Sequence, residues 1–499
     1  MTKTQNRPNI LFLFSDQHRG DWMPYKESVR REQGMDSLPL SMNNMKRLMD
    51  GGTTFTRNVS SSPLCVPARA CLASGMFYDR CEVYNNDFCY PLKKPTFYKV
   101  LKDGGYEVCG VGKFDLHKPI FYWGTDGWID QLSELGFTDA IDSEGKYDLL
   151  WSSFHAPRGP YAQFLSQNGL LKEHAKDYIR RYLNANDVEA TPLPEYAYAD
   201  NWVSQNALEK LKGLARQEKP WFLMVNFSGP HNPWDVTASM KDKVKGIDFP
   251  IPKTYSGDSD TLNAVRQNYA AMLENIDENI GAILNELKAT GQYDNTVIIY
   301  SSDHGEMLGD HDRYMKSVPY RGSVHIPLVI SGPGVSPGKV CDELVQLHDL
   351  AATIVDFAGM EMPAETDSCS LKGLTCDENA SPIRTFQMTM LYNSVRHAGG
   401  YEGYTDLEMY KKIKSDKEYI EEFNSELKLD ATGTSMTKYY YHGDWKSIIT
   451  KDYKLILFED AEPQLYDLRS DPDEMDDIAK NHMELVNELT SLYKFKEVL

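Results

Sequence analysis

The sequence is short of positive charge. Its 499 residues contain 53 Lys and Arg against 73 Asp and Glu, which gives a formal net charge of −20 at pH 7. Proteins that bind nucleic acids nonspecifically need a basic surface to meet the phosphates, and this balance argues against that class. A local basic pocket for a small anionic substrate remains compatible with the overall charge.

Long apolar runs are also missing. No stretch approaches the roughly 20 residues that cross a bilayer. Residues 1–8 are polar and lack the apolar centre of a secretory signal peptide. We therefore expect no membrane association and a cytoplasmic location, although a shortened N-terminus would look the same.

The cysteines lack the close CxxC spacing of many metal sites. Eight cysteines in so long a chain are expected to be reduced thiols, which is consistent with a reducing compartment. Cys369 and Cys376 are near enough in sequence to pair in a loop, but we expect thiols there too.

What the sequence does have is a regular alternation of apolar runs and amphipathic stretches from residue 9 to about 360. Runs such as 221–227 and 296–300 have the composition of strands buried on both faces, and 268–290 is predicted to be a long helix. This alternation is typical of α/β proteins. We predict a large mixed, mostly parallel sheet sandwiched by helices.

Two regions depart from that alternation. Residues 121–200 are rich in aromatics, Gly and Pro and are interpreted as an insertion that could shape a pocket. Packing within the insertion explains its conspicuous side chains equally well; these are Trp123, Trp128, Trp151, His155 and Arg158.

Beyond about residue 365 the composition becomes acidic and Tyr-rich. Short antiparallel strands are predicted there, followed by a terminal helix; the predicted strands are 394–397, 445–449, 453–457 and 464–468. We therefore predict a main α/β domain over 1–370 and a C-terminal subdomain with a small antiparallel sheet over 371–499.

The most informative stretch is 62–75, SPLCVPARACLASG. Prolines stiffen a turn that presents Cys65, and Arg69 follows at helical i,i+4 spacing. If a helix starts near Pro67, Cys65 lies just before its N-terminus, where free N–H groups favour an anion. The stretch predicts a nucleophile beside an anion pocket; taken alone, it also fits a buried turn cysteine.

Polar residues follow two of the predicted strands. Asp16 and Gln17 come after the apolar run 9–14 and are placed to offer oxygen ligands to a hard cation. His231 follows the run 221–227 between prolines, where a held imidazole suits proton transfer near neutral pH. A polar loop cap and a structural histidine are the alternatives.

Cys65-Val66-Pro67-Ala68-Arg69 resembles the Cys-x-Pro-x-Arg signature of formylglycine-dependent type I sulfatases, in the alkaline phosphatase superfamily. Further motifs follow in the family order, and the resemblance covers most of the chain. The residues that match them are Asp16, Gln17, Lys113, His231, Asp303, His304 and Lys316.

The resemblance implies that a maturation enzyme oxidises Cys65 to formylglycine. It also implies a divalent metal, with Ca²⁺ expected because the site is mostly oxygen-lined, and Mg²⁺ or Mn²⁺ as alternatives. The implied metal-site residues are Asp16, Gln17, Cys65, Asp303 and His304. Gln17 stands where many members have a second Asp.

The resemblance further assigns roles in catalysis. Lys113 and Lys316 contact the sulfate, Arg69 orients the hydrated formylglycine, and His231 protonates the leaving alcohol. The family histidine after the first lysine is Asp115 here, so His117, two residues further on, is expected to take its place.

We therefore predict an enzyme, a sulfuric ester hydrolase that acts on a small or oligosaccharide sulfate ester. A sulfated carbohydrate, such as a glycosaminoglycan saccharide, is the favoured substrate. Three alternatives stay open: a phosphonate monoester or phosphodiester hydrolase on the same scaffold, a non-enzymatic protein that binds sulfated sugars, and a cysteine hydrolase that uses Cys65 as a thiol.

Overall fold

The computed structural model describes residues 7–86, 88–118, 126–153, 159–392 and 443–496. The predicted strand 394–397 and three residues of the predicted insertion, Trp123, His155 and Arg158, lie outside this part of the chain. The side chain of Trp151 also lies outside it.

The described residues form ten strands before residue 350 and four after it. They are β1 (Asn9–Asp16), β2 (Gly52–Phe55), β3 (Asn58–Val59), β4 (Glu107–Gly112), β5 (Asp139–Asp142), β6 (Trp221–Pro230), β7 (Thr296–Ser302), β8 (Leu328–Ser331), β9 (Lys339–Cys341), β10 (Val345–Gln346), β11 (Gln387–Leu391), β12 (Trp445–Ile449), β13 (Tyr453–Phe458) and β14 (Gln464–Asp467).

Eight strands form one sheet in the order β5-β4-β6-β1-β7-β8-β2-β9. Neighbours from β5 to β7 pair in parallel, whereas β8 runs antiparallel to both β7 and β2. The mixed, mostly parallel sheet predicted from the sequence is confirmed. Its parallel half brings the carboxyl ends of β4, β6, β1 and β7 to one edge.

The α-helices are α1 (Glu27–Glu32), α2 (Asn43–Asp50), α3 (Cys65–Ser74), α4 (Tyr78–Cys81), α5 (Phe97–Asp103), α6 (Ile129–Leu135), α7 (Lys146–Ser153), α8 (Pro160–Gln167), α9 (Leu171–Leu183), α10 (Ala199–Leu214), α11 (Ala238–Val244), α12 (Ser259–Ala289), α13 (Arg321–Val324), α14 (Asp349–Phe357), α15 (Lys372–Cys376) and α16 (Met483–Lys496). Within the described ranges, no helix combines the length and apolarity needed to cross a membrane.

Alternate residues of β1 enter opposite layers. Leu11 and Leu13 pack with apolar residues of α10 and α12, whereas Phe12 and Phe14 pack with those of α3, α5 and α14. A central strand buried on both faces reads as a continuous apolar run, which is why the sequence identified it. None of the eight cysteines, all of which lie among the described residues, forms a disulfide bond.

The C-terminal strands form a separate antiparallel sheet in the order β11-β12-β13-β14, as predicted. Its first strand is 387–391, ahead of the segment named from the sequence, and all five of its residues are buried. Trp445 and Ile449 pack on Val59 and Leu64, just before α3, so this sheet supports the loop that leads to Cys65. The domain division at residue 370 stays a prediction.

Candidate active site

Four candidate residues meet because four neighbouring parallel strands end at one edge of the sheet. Asp16 is the last residue of β1 and Asp303 directly follows β7. Lys113 directly follows β4, and His231 directly follows β6. In open α/β sheets this edge is where functional side chains collect.

Cys65 reaches the same edge on α3. The helix begins at Cys65 itself, so the predicted start near Pro67 is wrong by two residues. Leu64 offers no side-chain cap; instead the Asn86 side-chain oxygen accepts a hydrogen bond from the Val66 N–H at 3.1 Å. Pro67, within the first turn, has no N–H to leave unpaired.

Asp16, Cys65, Asp303 and His304 form a buried group that we call the Cys65 cluster. Each offers one ligand atom, and these atoms lie within 4.8 Å of one another. The Cys65 Sγ atom lies 3.1 Å from His304 Nε2 and 3.7 Å from Asp16 Oδ1. The cluster has the donor set of a metal site.

The protonation of these groups also fits a cation. His304 Nδ1 donates to the Gly305 carbonyl at 3.0 Å, so the lone pair on Nε2 faces the cluster. Burial lowers the pKa of His304 to about 4, which keeps the ring neutral. Burial disfavours charge on Asp16, yet Lys113 and the other nearby positive groups hold its pKa well below the usual value.

Two cations neutralise the carboxylates from one side. Arg69 Nε lies 2.9 Å from Asp303 Oδ2, and its Nη2 lies 3.2 Å from Asp16 Oδ2. Lys113 Nζ contacts Asp16 and lies 3.2 Å from Asp115 Oδ2. The guanidinium of Arg69 is therefore buried between two carboxylates.

Lys316 approaches Cys65 from the other side. Its Nζ lies 3.6 Å from Cys65 Sγ, 2.5 Å from Gln17 Oε1 and 2.6 Å from His231 Nε2. His231 Nδ1 donates to the Asn232 carbonyl, which leaves Nε2 to accept from the ammonium. Burial, followed by the Lys316 charge, lowers the pKa of His231 well below its usual value.

Gln17 joins this side through both ends of its amide. Its oxygen accepts from Lys316, and its Nε2 donates to Glu306 Oε2 at 2.5 Å. Glu306 Oε1 accepts from the backbone N–H of Leu308 at 3.1 Å and from that of Met315, which fixes the loop that carries Lys316. Sequence reasoning missed Glu306, because its contact with Gln17 joins residues that are distant in the sequence.

His117 and Asp115 lie in different surroundings. The His117 ring packs edge-on against Trp128, with centroids 4.7 Å apart. Asp115 contacts Lys113 and lies 3.5 Å from Lys118 Nζ, which in turn lies 2.7 Å from Asp148. The role assigned to His117 stays a prediction, and the Asp115–Lys118 pair was not predicted from the sequence.

With this geometry in place, family comparison decides the assignment. The sulfatase family model matches residues 8–360. This chain belongs to the sulfatase family. A second model, described as the C-terminal part of N-sulphoglucosamine sulphohydrolase, matches residues 309–424. The protein is thus a sulfuric ester hydrolase, as predicted.

Named sulfatases are similar over most of the chain. A choline-sulfatase from Rhizobium meliloti is 28% identical over 400 residues, covering 74% of this chain and 71% of the relative. An N-acetylglucosamine-6-O-sulfatase from Bacteroides thetaiotaomicron is 24% identical and covers 98% of this chain and 87% of the relative.

Solved structures share the fold of this sulfatase. One, in complex with its substrate D-glucosamine-2-N,6-O-disulfate, has a TM-score of 0.68 at 20% identity and covers 98% of both chains. A phosphonate monoester hydrolase from Silicibacter pomeroyi has a TM-score of 0.73 at 20% identity, covering 98% of this chain and 94% of its own. At such identity the likeness concerns the fold alone.

Sulfatases generally use a formylglycine and a divalent metal, and the buried Asp, Cys, Asp and His of the cluster fit such a site. The alternatives raised from the sequence are not favoured. Burial, with the nearby Asp16 carboxylate, raises the pKa of Cys65 to about 11. A cysteine hydrolase needs a thiolate near neutral pH, which this environment opposes.

Proposed function

We propose that this sulfatase removes sulfate from a sulfated carbohydrate, such as a glycosaminoglycan saccharide. The observation that supports this proposal best is the Cys65 cluster, in which a candidate nucleophile lies beside two carboxylates, with two lysines close by. The carbohydrate class is supported by a relative named for N-acetylglucosamine-6-O-sulfate and by a structural neighbour bound to a sulfated glucosamine, each covering 98% of this chain.

We further propose that a maturation enzyme converts Cys65 to formylglycine. Asp16, Asp303 and His304 would hold a divalent cation, with Gln17 at the edge of the site and calcium favoured by oxygen ligands. Hydrated formylglycine would supply a nucleophilic oxygen, and a cation held by these residues would provide positive charge near the sulfuryl oxygens. The proposed cytoplasmic location depends on the sequence alone.

The protein's own side chains prepare the site for an anion. Lys113 and Lys316 approach from opposite sides, so they can orient a sulfate group and stabilise charge that grows on its oxygens. Arg69 Nε lies 2.9 Å from the Asp303 carboxylate and Nη2 lies 3.2 Å from that of Asp16, which fixes the position of the guanidinium near Cys65. Little reorganisation is then needed when the substrate arrives.

The proton for the leaving alcohol is proposed to come from the Lys316–His231 pair. The imidazole is neutral in its buried position, and its Nε2 already accepts a hydrogen bond from the Lys316 ammonium. His231 alone therefore has no proton to give from Nε2. Lys316 would supply it, directly or through the imidazole.

The test is mass spectrometry of the peptide that contains Cys65, from protein made in a host with a formylglycine-generating enzyme. We expect an aldehyde at residue 65, and metal-dependent release of sulfate from glucosamine 6-sulfate or a sulfated disaccharide. An unmodified thiol in that host, together with no turnover of any sulfate ester, would refute the mechanism. Turnover of 4-nitrophenyl sulfate without any sugar sulfate would refute only the substrate class.

A further inference from the structure

A second cavity lies between the main sheet and the C-terminal sheet. It has a volume of about 470 Å³ and is lined by residues 56–57 after β2, by Arg321 of α13 and by the turn between β12 and β13. Among the described residues that line it, none belongs to the Cys65 cluster. The cavity is large enough for a small ligand, since ligand sites range from about 300 Å³ upward.

Three arginines line this cavity without a carboxylate partner. Within the described ranges, Arg31, Arg57 and Arg321 form no ion pair with an acidic side chain. Arg57 Nη1 donates to the Lys451 carbonyl at 2.9 Å, and Arg321 donates to backbone carbonyls of residues 33 and 34 at 2.9 and 3.2 Å. These bonds orient the guanidinium groups but do not neutralise them.

Other cations around the cavity are paired. Lys454 lies 2.6 Å from Glu474, and Lys451 lies 2.8 Å from Glu343. In a chain with a net charge of −20, acidic partners are plentiful. Three arginines without an ion-pair partner among the described residues are therefore a local feature of this cavity, although Glu32, Asp452 and Glu474 also line it.

Among the described residues, one N–H donor of the Arg57 guanidinium lacks a hydrogen-bond acceptor. Its Nε atom is buried and has no acceptor in the part of the chain that the structure describes. Leaving a buried charged donor unsatisfied is costly. Burial lowers the pKa of Arg57 and the nearby Arg321 charge acts in the same direction, while the Asp342 carboxylate opposes them. An anion between the two guanidinium groups would relieve both effects.

Apolar side chains that line the cavity would strengthen the attraction between the arginines and an anion. Val59, Val324 and Ile449 are buried apolar side chains that line it. Charges act more strongly on one another beside apolar walls than in open water. Planar guanidinium forks match the paired oxygens of sulfate and phosphate groups.

We propose that this cavity is an anion-binding site for a sulfate or phosphate group, distinct from the catalytic centre. The oxyanion enters between Arg31, Arg57 and Arg321. It is either a free inorganic ion or a group carried by a saccharide, and the remaining volume leaves room for a sugar ring. The inference goes beyond the proposed function because it needs no turnover at Cys65.

The experiment is isothermal titration of the full chain with sodium sulfate. We expect two binding events, one at the catalytic centre and one in the cavity. Arg57→Gln and, separately, Arg31→Gln should weaken one event by about tenfold or more, since each removes charged hydrogen bonds. Lys113→Met should weaken the other. Arg216→Gln, a change to an exposed arginine away from the cavity, should alter neither.

Arg31 is exposed, so its variant should fold normally even if Arg57→Gln perturbs the turn at Lys451. Repeating the titration with sodium phosphate and with a sulfated disaccharide separates the sources. Tighter arginine-dependent binding of the disaccharide indicates a carried group, and equal or weaker binding indicates a free ion. A single binding event that ignores both arginine variants would overturn the proposal.

Failure of this site is separable from failure of the proposed function. Arg31→Gln should hydrolyse 4-nitrophenyl sulfate at the wild-type rate, because Arg31 is outside the Cys65 cluster. If Arg31→Gln loses that activity together with the second binding event, the cavity is not a separate site and the inference is wrong.

Discussion

Two buried groups in this sulfatase both contain charged side chains and differ in how these side chains are arranged. One is the Cys65 cluster; the other is Lys146 with Asp235 and Tyr178. Lys146 Nζ lies 2.7 Å from Asp235 Oδ1, and the Tyr178 hydroxyl donates to Asp235 Oδ2 at 2.8 Å. One cation meets one anion there, and both carboxylate oxygens accept a hydrogen bond. We call this arrangement the closed pair.

In the Cys65 cluster, by comparison, several ligand atoms converge on one place, and we call this arrangement open. Ligand atoms from Asp16, Asp303 and His304 converge on one place beside Cys65, with more cations nearby than the two carboxylates need. Burial and charge are common to both groups, so neither marks a functional site. Convergent lone pairs distinguish the open cluster, because a closed pair has none to offer a ligand.

The largest effect is expected at the nucleophile. Cys65→Ala should lower sulfate ester turnover by about 10⁴-fold or more, as loss of a nucleophile does in other hydrolases. The change is small and buried at the start of α3, so the unfolding midpoint should move little. Initial rates with 4-nitrophenyl sulfate and a urea melt measure the two effects.

Cys71→Ala is the matched control, since Cys71 is a buried cysteine on the same helix. It should keep its activity. Equal loss in both variants would mean that packing of α3, and not the chemistry of residue 65, explains the result.

The closed pair should show the reverse behaviour. Lys146→Met leaves Asp235 as a buried unpaired charge, and breaking a buried ion pair costs about 3–5 kcal/mol. Urea unfolding followed by circular dichroism measures the loss. Lys176→Met, which breaks an exposed pair with Glu173 at 2.8 Å, should cause no measurable change. Equal stability of the two variants would refute the closed-pair interpretation.

Cation binding should separate the two groups without any activity assay. Calcium at 100 times its Kd should stabilise the wild type by about 2.7 kcal/mol by mass action. Asp303→Asn should lose most of that gain, because a converging carboxylate is removed, whereas Asp235→Asn should keep it. Thermal unfolding with calcium or with EDTA provides the measurement. An undiminished calcium response in Asp303→Asn would place the cation elsewhere.

The sequence predicted the residues whose position depends on strand ends. Asp16 and His231 follow apolar runs, and parallel pairing brings such positions together. Lys113 and Asp303 were predicted from the family resemblance, and they lie at the ends of neighbouring strands. The start of α3 was misplaced because its cap comes from Asn86, twenty-one residues after Cys65. Local sequence cannot reveal a partner that only the folded loop supplies.

The missed residues share the same cause. Lys118 meets Asp148 across thirty positions, and Glu306 meets Gln17 across a far longer separation. Their roles depend on which side chains the fold brings into contact, and no periodicity or spacing encodes that. The strand β11 was missed for a different reason, since its five residues form too short a run to stand out, although the first four alternate between polar and apolar.

The smallest expected effect tests whether Lys118, outside the Cys65 cluster, influences Lys113 through Asp115. Asp115 lies between Lys113, at 3.2 Å, and Lys118, at 3.5 Å. Lys118→Met would leave the Asp115 charge to act on Lys113 alone, which reduces the field that Lys113 offers to a sulfate. KM should rise by about tenfold with little change in kcat, since substrate binding is weakened in the ground state.

Two variants sharpen that result. Lys118→Arg keeps the positive charge beside Asp115 and should restore most of the affinity, as a purely packing role would not allow. Lys210→Met breaks a partly exposed pair with Asp139 at 2.6 Å, away from the cluster, and should leave KM unchanged. If Lys118→Arg is as poor as Lys118→Met, shape rather than charge sets the effect, and Asp115 does not compete for Lys113. If Lys118→Arg restores the affinity, the charge of Lys118 acts on Lys113 through Asp115. The charges that prepare the Cys65 cluster for a sulfate then extend outward to Lys118.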